Sequence, residues 1–355
     1  MLEDKKSNGA VAPRADDRRR EFILLAVFFS LLAVYFARVV FEPIAFMLFA
    51  LALVWPLQTA LEARLPRAAA LTMTILFTLV VISLFAFAIV WSISEVAHWF
   101  IENAQRLQTQ YERIAAWLEG HGIFVTDLFK AFDASWLIGP FRAVAYQLNY
   151  FVAFSVVVFL LLMFGLLEFD NFRTKIEALD AQLQGWSLSE TCNQIAKNIR
   201  KYMFIRTIAS LATGLAVFVF ALSIGLELAT AWGIISFVLN YIPYIGPLIA
   251  VVLPVVFGIA QFESWQMIVF AFVGLYMIQF WIGSYLEPLI AGNALSISPF
   301  VMLCAFFFWD FMWGIPGAFV GLPVTIAVFT ICEQNPSTRW LAKLLSSSEA
   351  QVKGA

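Results

Sequence analysis

The chain has 355 residues, 62% of them hydrophobic and only 13% charged, with 37 Phe, 12 Trp and a formal net charge of −2. An average soluble domain is roughly 25% charged, so an ordinary water-soluble fold is excluded. Long apolar runs, several near the roughly 20 residues that cross a bilayer, argue against a β-barrel of short alternating strands. The expected fold class is an all-α polytopic membrane protein; the near-neutral charge gives no basis for nucleic-acid binding.

Residues 1–21 read as a polar tail. The run FILLAVFFSLLAVYFA continues towards Arg38 and Glu42 without the short apolar core and small-residue cleavage site of an exported leader, so it reads as a retained first span. Spans are predicted near 22–41, 44–60 and 69–93, with Pro43 punctuating the first turn, which makes 22–93 a block of three. Residues 94–148 follow as an extracytoplasmic segment. Its Val96, Phe100, Leu107, Tyr111, Ile114 and Leu118 recur at three- or four-residue steps or their multiples, predicting an amphipathic helix that extends the third span. His98 and His121 have no His or Cys neighbours in sequence and read as surface residues. A fourth span covers 149–169 and leaves the membrane at Leu167-Glu168-Phe169-Asp170. Residues 170–204 form a connector whose Ile195 and Ile199 share a face; that face packs on the spans, rests on headgroups or is solvated. A fifth span near 205–225 opens a core that runs to 335, and 336–355 form a second polar tail.

Arg18, Arg19 and Arg20 precede the first span, Arg64 and Arg67 follow the second, and Arg173, Lys175, Lys197, Arg200, Lys201 and Arg206 lie between the fourth and fifth. All three clusters fall on one side if both termini are cytoplasmic. Cys192, Cys304 and Cys332 are far apart and read as small buried hydrophobes, so neither a disulfide framework nor a metal site is expected, and no cofactor. No HExxH pair, no histidine in a span and no Gly-rich phosphate loop occurs, so no enzymatic activity is expected.

From Thr207 to Thr338 there is no Lys or Arg, and the charges are acidic: Glu227, Glu263, Glu287, Asp310 and Glu333. Glu227, Glu263 and Glu333 fall at predicted loops or span ends. Glu287, after a long apolar run and before Pro288, and Asp310, inside FFFWDFMWG, are the candidates for taking up a coupling proton or cation, since neither has a basic partner close in sequence.

Two apolar segments in this region are broken. Residues 229–260 would measure about 48 Å as one helix at 1.5 Å per residue, against about 30 Å of hydrocarbon. LNYIPYIGPLIAVVLP interrupts them with Pro243, Gly246 and Pro247. Neither proline can donate to the carbonyl four residues back, and the freed carbonyls at Leu239 and Pro243 need a partner: a cavity, water, an ion or another helix. WGIPGAFVGLP interrupts 299–332 with Gly314, Pro316, Gly317 and Pro323. Two interrupted segments flanking an ordinary helix, 265–286, point to a transport site at the junction of two structural halves. About eight membrane-embedded segments result, either all crossing or comprising six spans and two re-entrant hairpins on opposite sides.

The stretches GIISFVLNYIPYIGPLIAVVLP and EPLIAGNALSISPFVMLCAFFFWDFMWGIPGAFVGLPVTI, with the tail NPSTRWLAKLLS, resemble the autoinducer-2 exporter family of bacterial membrane transporters. The family's signature falls on Asn240, Pro243, Gly246 and Pro247, on Glu287, Pro288, Gly292 and Pro299, and on Gly314, Pro316, Gly317 and Pro323. Asp310, where members commonly carry a small uncharged residue, and the run MFIRT after Tyr202 depart from its pattern. The resemblance implies a homo-oligomeric inner-membrane transporter, a pentamer by analogy, that exports autoinducer-2 or exchanges sodium or lithium for protons. A small hydroxyl-rich solute would meet donors and acceptors at Asn240, Tyr241, Tyr244, Gln279 and Asn293. A passive channel or membrane scaffold is the remaining alternative.

Overall fold

The computed structural model describes residues 15–103, 105–106, 108–109, 113, 116, 119–120, 135–182, 186–262, 264–291 and 297–346. Every regular element among them is a helix: α1 (Ala15–Phe36), α2 (Arg38–Glu62), α3 (Arg67–Glu102), α4 (Ser135–Asp180), α5 (Leu188–Ser223), α6 (Ala229–Leu239), α7 (Ile245–Gln261), α8 (Trp265–Trp281), one π-helical turn (Ile282–Leu286), α9 (Glu287–Ala291), α10 (Pro299–Trp313), α11 (Ile315–Gln334) and α12 (Arg339–Leu345). Among the described residues, six helical stretches are long and apolar enough to cross a membrane: Arg38–Glu62, Arg67–Glu102, Tyr150–Asp180, Leu188–Ser223, Trp265–Ile290 and Ile315–Gln334. Leu76, Phe77, Val80, Leu84 and Phe87 of α3 are all exposed. In water such a face would cost about 25 cal/mol per Å² of apolar surface; against lipid tails it costs nothing, so the protein is a polytopic helical membrane protein.

The break between the first two helices is displaced from its expected place. The break falls at Ala37, and Pro43 lies inside α2. So near the start of that helix, Pro43 forfeits only the bond to Val39. Pro56, deeper in α2, frees the carbonyl of Ala52, which accepts a hydrogen bond from Arg200 Nη1 at 3.1 Å. Arg200→Met is therefore expected to destabilise by about 1–3 kcal/mol, the cost of an unsatisfied buried acceptor. Adding Pro56→Ala, which restores the helix's own donor, should recover most of the loss in thermal unfolding of the detergent-solubilised protein.

α4 continues beyond its apolar part to Asp180, and Asp180 starts the next helix. It accepts from the backbone N–H groups of Leu188 (2.5 Å) and Ser189 (3.0 Å) and from the Ser187 hydroxyl (2.9 Å). Hydrogen bonds from Ser189, Leu188 and Ser187, outweighing a smaller opposing effect of burial, lower its carboxyl from 3.8 to about 2. The folded value lies below the unfolded one, so this cap contributes stability above pH 3.8 and loses it as pH falls from there towards 2. Unfolding followed through that window should show an acid-dependent component that Asp180→Asn removes.

α5 is the hub of the bundle, packed against α2, α4, α6, α8, α9 and α11. Ile199 is buried among Phe49, Val320, Ile326 and Phe329, with Ile195 packed beside it, so the apolar face of the connector joins the core. Gly214 and Gly233 let α5 and α6 touch: a Cβ on either would come within 2.8–2.9 Å of the other's carbonyl oxygen. The cysteines are not the buried hydrophobes expected. Cys192 and Cys304 are exposed and Cys332 half-buried; Cys304 lies on a membrane-embedded helix, where an outward apolar thiol can face lipid. Val96 and Trp99 of α3 are buried in a second core cluster with Trp232 and Phe257. Leu107, Tyr111, Ile114, Leu118 and His121 lie outside the described residues, and His98 is exposed.

Contacts at the helix ends decide between the two topologies. One face is marked by the Arg67–Asp170 ion pair at 2.8 Å and by Trp55 against Phe169. At the opposite face, Gln261 donates to Gly225 O at 2.7 Å and accepts from Glu227 N at 2.9 Å, while Trp99 donates to the Glu227 carboxylate. The segment that leaves this face at Ala229 thus returns to it at Gln261. α6 has 11 residues and α7 has 17, about 16 and 25 Å at 1.5 Å per residue. α8 and α9 then carry the chain across, and Ser298 N donates to Leu345 O at 3.0 Å beside an Ile297–Ser346 bridge. α10 and α11 therefore also start and finish together. Both broken segments are helical hairpins, entering from opposite faces.

Candidate functional site

The first break closes most of its own bonds. Leu239 O accepts from Ile242 N at 2.9 Å, and Pro243 O from Ile245 N at 2.7 Å. The two carbonyls freed by Pro243 and Pro247 thus have backbone partners, contrary to the expectation that a cavity, water, an ion or another helix must supply them. The second of these bonds makes Pro243–Tyr244–Ile245 a γ-turn, with Tyr244 at φ 63 and ψ −57. That geometry is rare and strained, of a kind that concentrates at functional sites. Gly246 permits it: a Cβ there would lie 1.8 Å from Leu239 O.

The tip of this hairpin rests on a polar stripe of α5. Tyr202, Arg206, Ser210 and Thr213 are all buried and follow one another at steps of four, four and three residues, which keeps them on one helical face. Asn240 Nδ2 donates to Ser210 Oγ at 3.2 Å, and Tyr241 OH to Thr207 Oγ1 at 3.0 Å. Arg206 Nη1 reaches both carboxylate oxygens of Glu287 at 2.8 Å, with side-chain exposures of 8% and 27%. Glu287 is delivered by the π turn. Pro288 has no N–H for Ser284, and Glu287 N bonds instead to Ile282 O, five residues back. Glu287 is therefore not the unpaired carboxylate expected from a region without basic residues. Its partner stands one position before that region begins.

The second break turns at Gly314, with φ 66 and ψ −145, and Gly314 N donates to Asp310 O at 2.6 Å. Gly317 and Gly321 bring α11 against α10, since a Cβ would lie 2.0 Å from Trp309 O at the first and 2.5 Å from Trp309 Cβ at the second. Trp309 Nε1 also donates to Thr325 Oγ1 at 3.0 Å. Pro316 sits in the first turn of α11, where its missing N–H costs nothing, and Pro323 lies inside that helix. The two hairpins meet through rings: Tyr241 against Phe319 at 5.9 Å and Tyr244 near Phe306 at 6.2 Å between centroids. Phe46 and Phe49 of α2 complete the contact on Phe319.

Residues 23–336 match the family model described as the AI-2E family transporter. The chain belongs to this family. Relatives of this AI-2E family transporter cover nearly its whole length. A protein of Borreliella burgdorferi, named provisionally as a transport protein, is 32% identical over 352 residues, covering 98% of this chain and 96% of its own. The AI-2 transport protein TqsA of Escherichia coli K12 is 24% identical over 320 residues, covering 89% and 92%.

In this AI-2E family transporter the structure gathers Asn240, Tyr241, Tyr244 and Glu287 around the junction. Gln279, on α8, is half-buried, and its Nε2 has no hydrogen-bond partner among the described residues. Asp310 is half-buried and joins no ion pair or side-chain hydrogen bond among the described residues. Asn293 and Gly292 lie outside those residues. Sequence reasoning missed Arg206, Ser210 and Thr213 as a group, although polar residues four, four and three apart in a predicted span were a readable signal. It also passed over Glu42 of α2, which is buried. Among the described residues no group of three or more His, Cys, Asp or Glu is gathered to hold a metal.

Proposed function

We propose that this AI-2E family transporter is a secondary active transporter that exports a small polar solute of the autoinducer-2 kind by alternating access, driven by the proton gradient. The observation that carries the reading is the contact between two oppositely inserted hairpins beside the polar stripe of α5, where Tyr241 and Tyr244 at the tip of the first meet Phe319 and Phe306 on the legs of the second. While Tyr241 and Phe319 touch, a solute entering from either face stops at the rings; parting one hairpin opens one side. Asn240, Tyr241 and Ser210 offer donors and acceptors there, and Gln279 offers an unused donor. A proton on Glu287 would leave Arg206 buried without its counterion, which favours a rearrangement of α8 and α9 against α5. One charge moved through 100 mV is worth about 2.3 kcal/mol, roughly a fifty-fold gradient of a neutral solute. The family match and the relative TqsA support autoinducer-2 as the solute to test first. By the positive-inside rule the Arg67 face and both termini are cytoplasmic, in the inner membrane, with a homo-oligomer as the working assembly.

Inverted membrane vesicles test this. Proton-gradient-driven uptake of autoinducer-2 is expected in wild type and is expected to collapse in Glu287→Gln. A second reading, sodium or lithium/proton antiport, rests on Asp310, a carboxylate without an ion pair or side-chain hydrogen bond among the described residues, beside the second break. Cation-triggered proton release from the same vesicles, with no autoinducer-2 uptake, would favour it.

A further inference from the structure

α2 holds a carboxylate that the mechanism above leaves unused. Glu42 is 3% exposed and directly precedes Pro43, which is also buried. Its Oε1 has no hydrogen-bond partner among the described residues. The charged or titratable groups found acting on it among the described residues are Arg38, one turn earlier on α2, and Tyr150 of α4. Neither forms an ion pair or hydrogen bond with it among the described residues. One turn further along α2, Phe46 packs on Phe154 of α4 at 5.0 Å and stacks on Phe319 at 5.9 Å, and Phe319 in turn meets Tyr241. Glu42 is thus four residues from the aromatic contact that joins the two hairpins.

A carboxylate anion stripped of donors is poorly tolerated in such a place, whereas the neutral acid is an ordinary polar group of modest cost. A structural role alone would be filled equally well by Gln or Leu. We propose that Glu42 is a proton-binding site of the transport cycle. It carries a proton in the conformation described here: its carboxylate binds that proton from water at the face where α2 begins when Phe46 and Phe319 separate, and the O–H bond breaks to release it towards the Arg67 face when the hairpins exchange openings. Arg38, at that end of the helix, stabilises the anion once water reaches it. The inference rests on the proposed proton-driven transport and gives the coupling proton a second station besides Glu287.

The test has a readout that needs no substrate. Infrared spectra of the purified protein in liposomes at neutral pH should contain the C=O stretch of a protonated carboxylic acid. Glu42→Gln should remove that band, and Glu287→Gln should leave it. In inverted vesicles, Glu42→Gln should reduce gradient-driven autoinducer-2 accumulation from the roughly fifty-fold that one coupled charge can sustain to simple equilibration. Exchange of preloaded for external solute should persist, which shows a folded carrier. Glu42→Asp, which keeps the titratable group, should restore part of the accumulation. A band absent from wild type, or unchanged in Glu42→Gln, overturns the assignment, as does full accumulation by that variant. Wild-type vesicles that take up no autoinducer-2 would overturn the transport reading alone, because the band still decides the state of Glu42.

Discussion

Glu287→Leu is expected to be the most damaging single change at the Arg206–Glu287 pair, costing about 3–5 kcal/mol of stability and abolishing transport. The guanidinium it leaves behind is the more buried partner, at 8% side-chain exposure against 27%, and arginine cannot shed its charge by losing a proton. Arg206→Met should cost less. The carboxylate it strands is partly exposed and can take up a proton, which converts an unpaired charge into a neutral acid. The double variant Arg206→Met/Glu287→Leu removes both charges and should regain most of the stability, because replacing a whole buried pair is far cheaper than halving it. It should nevertheless show no response to the proton gradient. A double-mutant cycle on unfolding in detergent measures the coupling. Additive single effects would mean that the two groups do not pair in the membrane, and the role given to Glu287 would fall with them.

That pair also shows where sequence reasoning stops. The absence of Lys and Arg from 207 to 338 is plain in the sequence, and it suggested isolated carboxylates. Arg206 lies 81 residues from Glu287 along the chain, and only the packing of α9 and the π turn on α5 brings them together. The breaks themselves were legible, since Pro243 with Gly246 and Gly314 with Pro316 are chemical punctuation that no continuous helix accommodates. Their consequence was not. Whether a broken segment crosses or returns depends on what its ends touch, and Gln261 finding Gly225, or Ser298 finding Leu345, leaves no periodicity to read. The same limit applies to Pro43 and Pro56. A proline marks a lost hydrogen bond, but the carbonyl of Ala52 is rescued by Arg200 from another helix, so α2 runs through both prolines. The polar stripe of α5 is the instructive omission. Its spacing is visible in the sequence, yet Arg206 fits equally well among the basic residues that orient the chain, and only the packing of α9 on α5 assigns it to a site.

Gly246→Ala is expected to cost at least the 1–3 kcal/mol typical of overpacking, roughly speaking, and more where backbone must move. It should also bring autoinducer-2 uptake to background. The added Cβ would stand 1.8 Å from the carbonyl oxygen of Leu239 and 2.7 Å from its carbon. No rotamer change relieves that overlap, because the obstacle is backbone already held by Ile242 N. The relief must come from opening the γ-turn at Tyr244, whose φ of 63 exists because the chain is pinned on both sides. Opening it swings Tyr241 and Tyr244 away from Phe319 and Phe306, so the variant disturbs the contact between hairpins even if the membrane spans stay assembled. Gly258→Ala, in the same hairpin, is the matched control. The nearest atom to a Cβ at that position is Phe262 Cδ2 at 3.4 Å, an ordinary contact, and the change should move stability by no more than about 1 kcal/mol. Comparing the two by thermal unfolding and vesicle uptake separates a demand for space at the tip from any general intolerance of alanine. If Gly246→Ala unfolds and transports as Gly258→Ala does, the tip is not closed as tightly as Leu239 and Gly246 place it, and a hairpin that opens by parting those rings loses its physical basis.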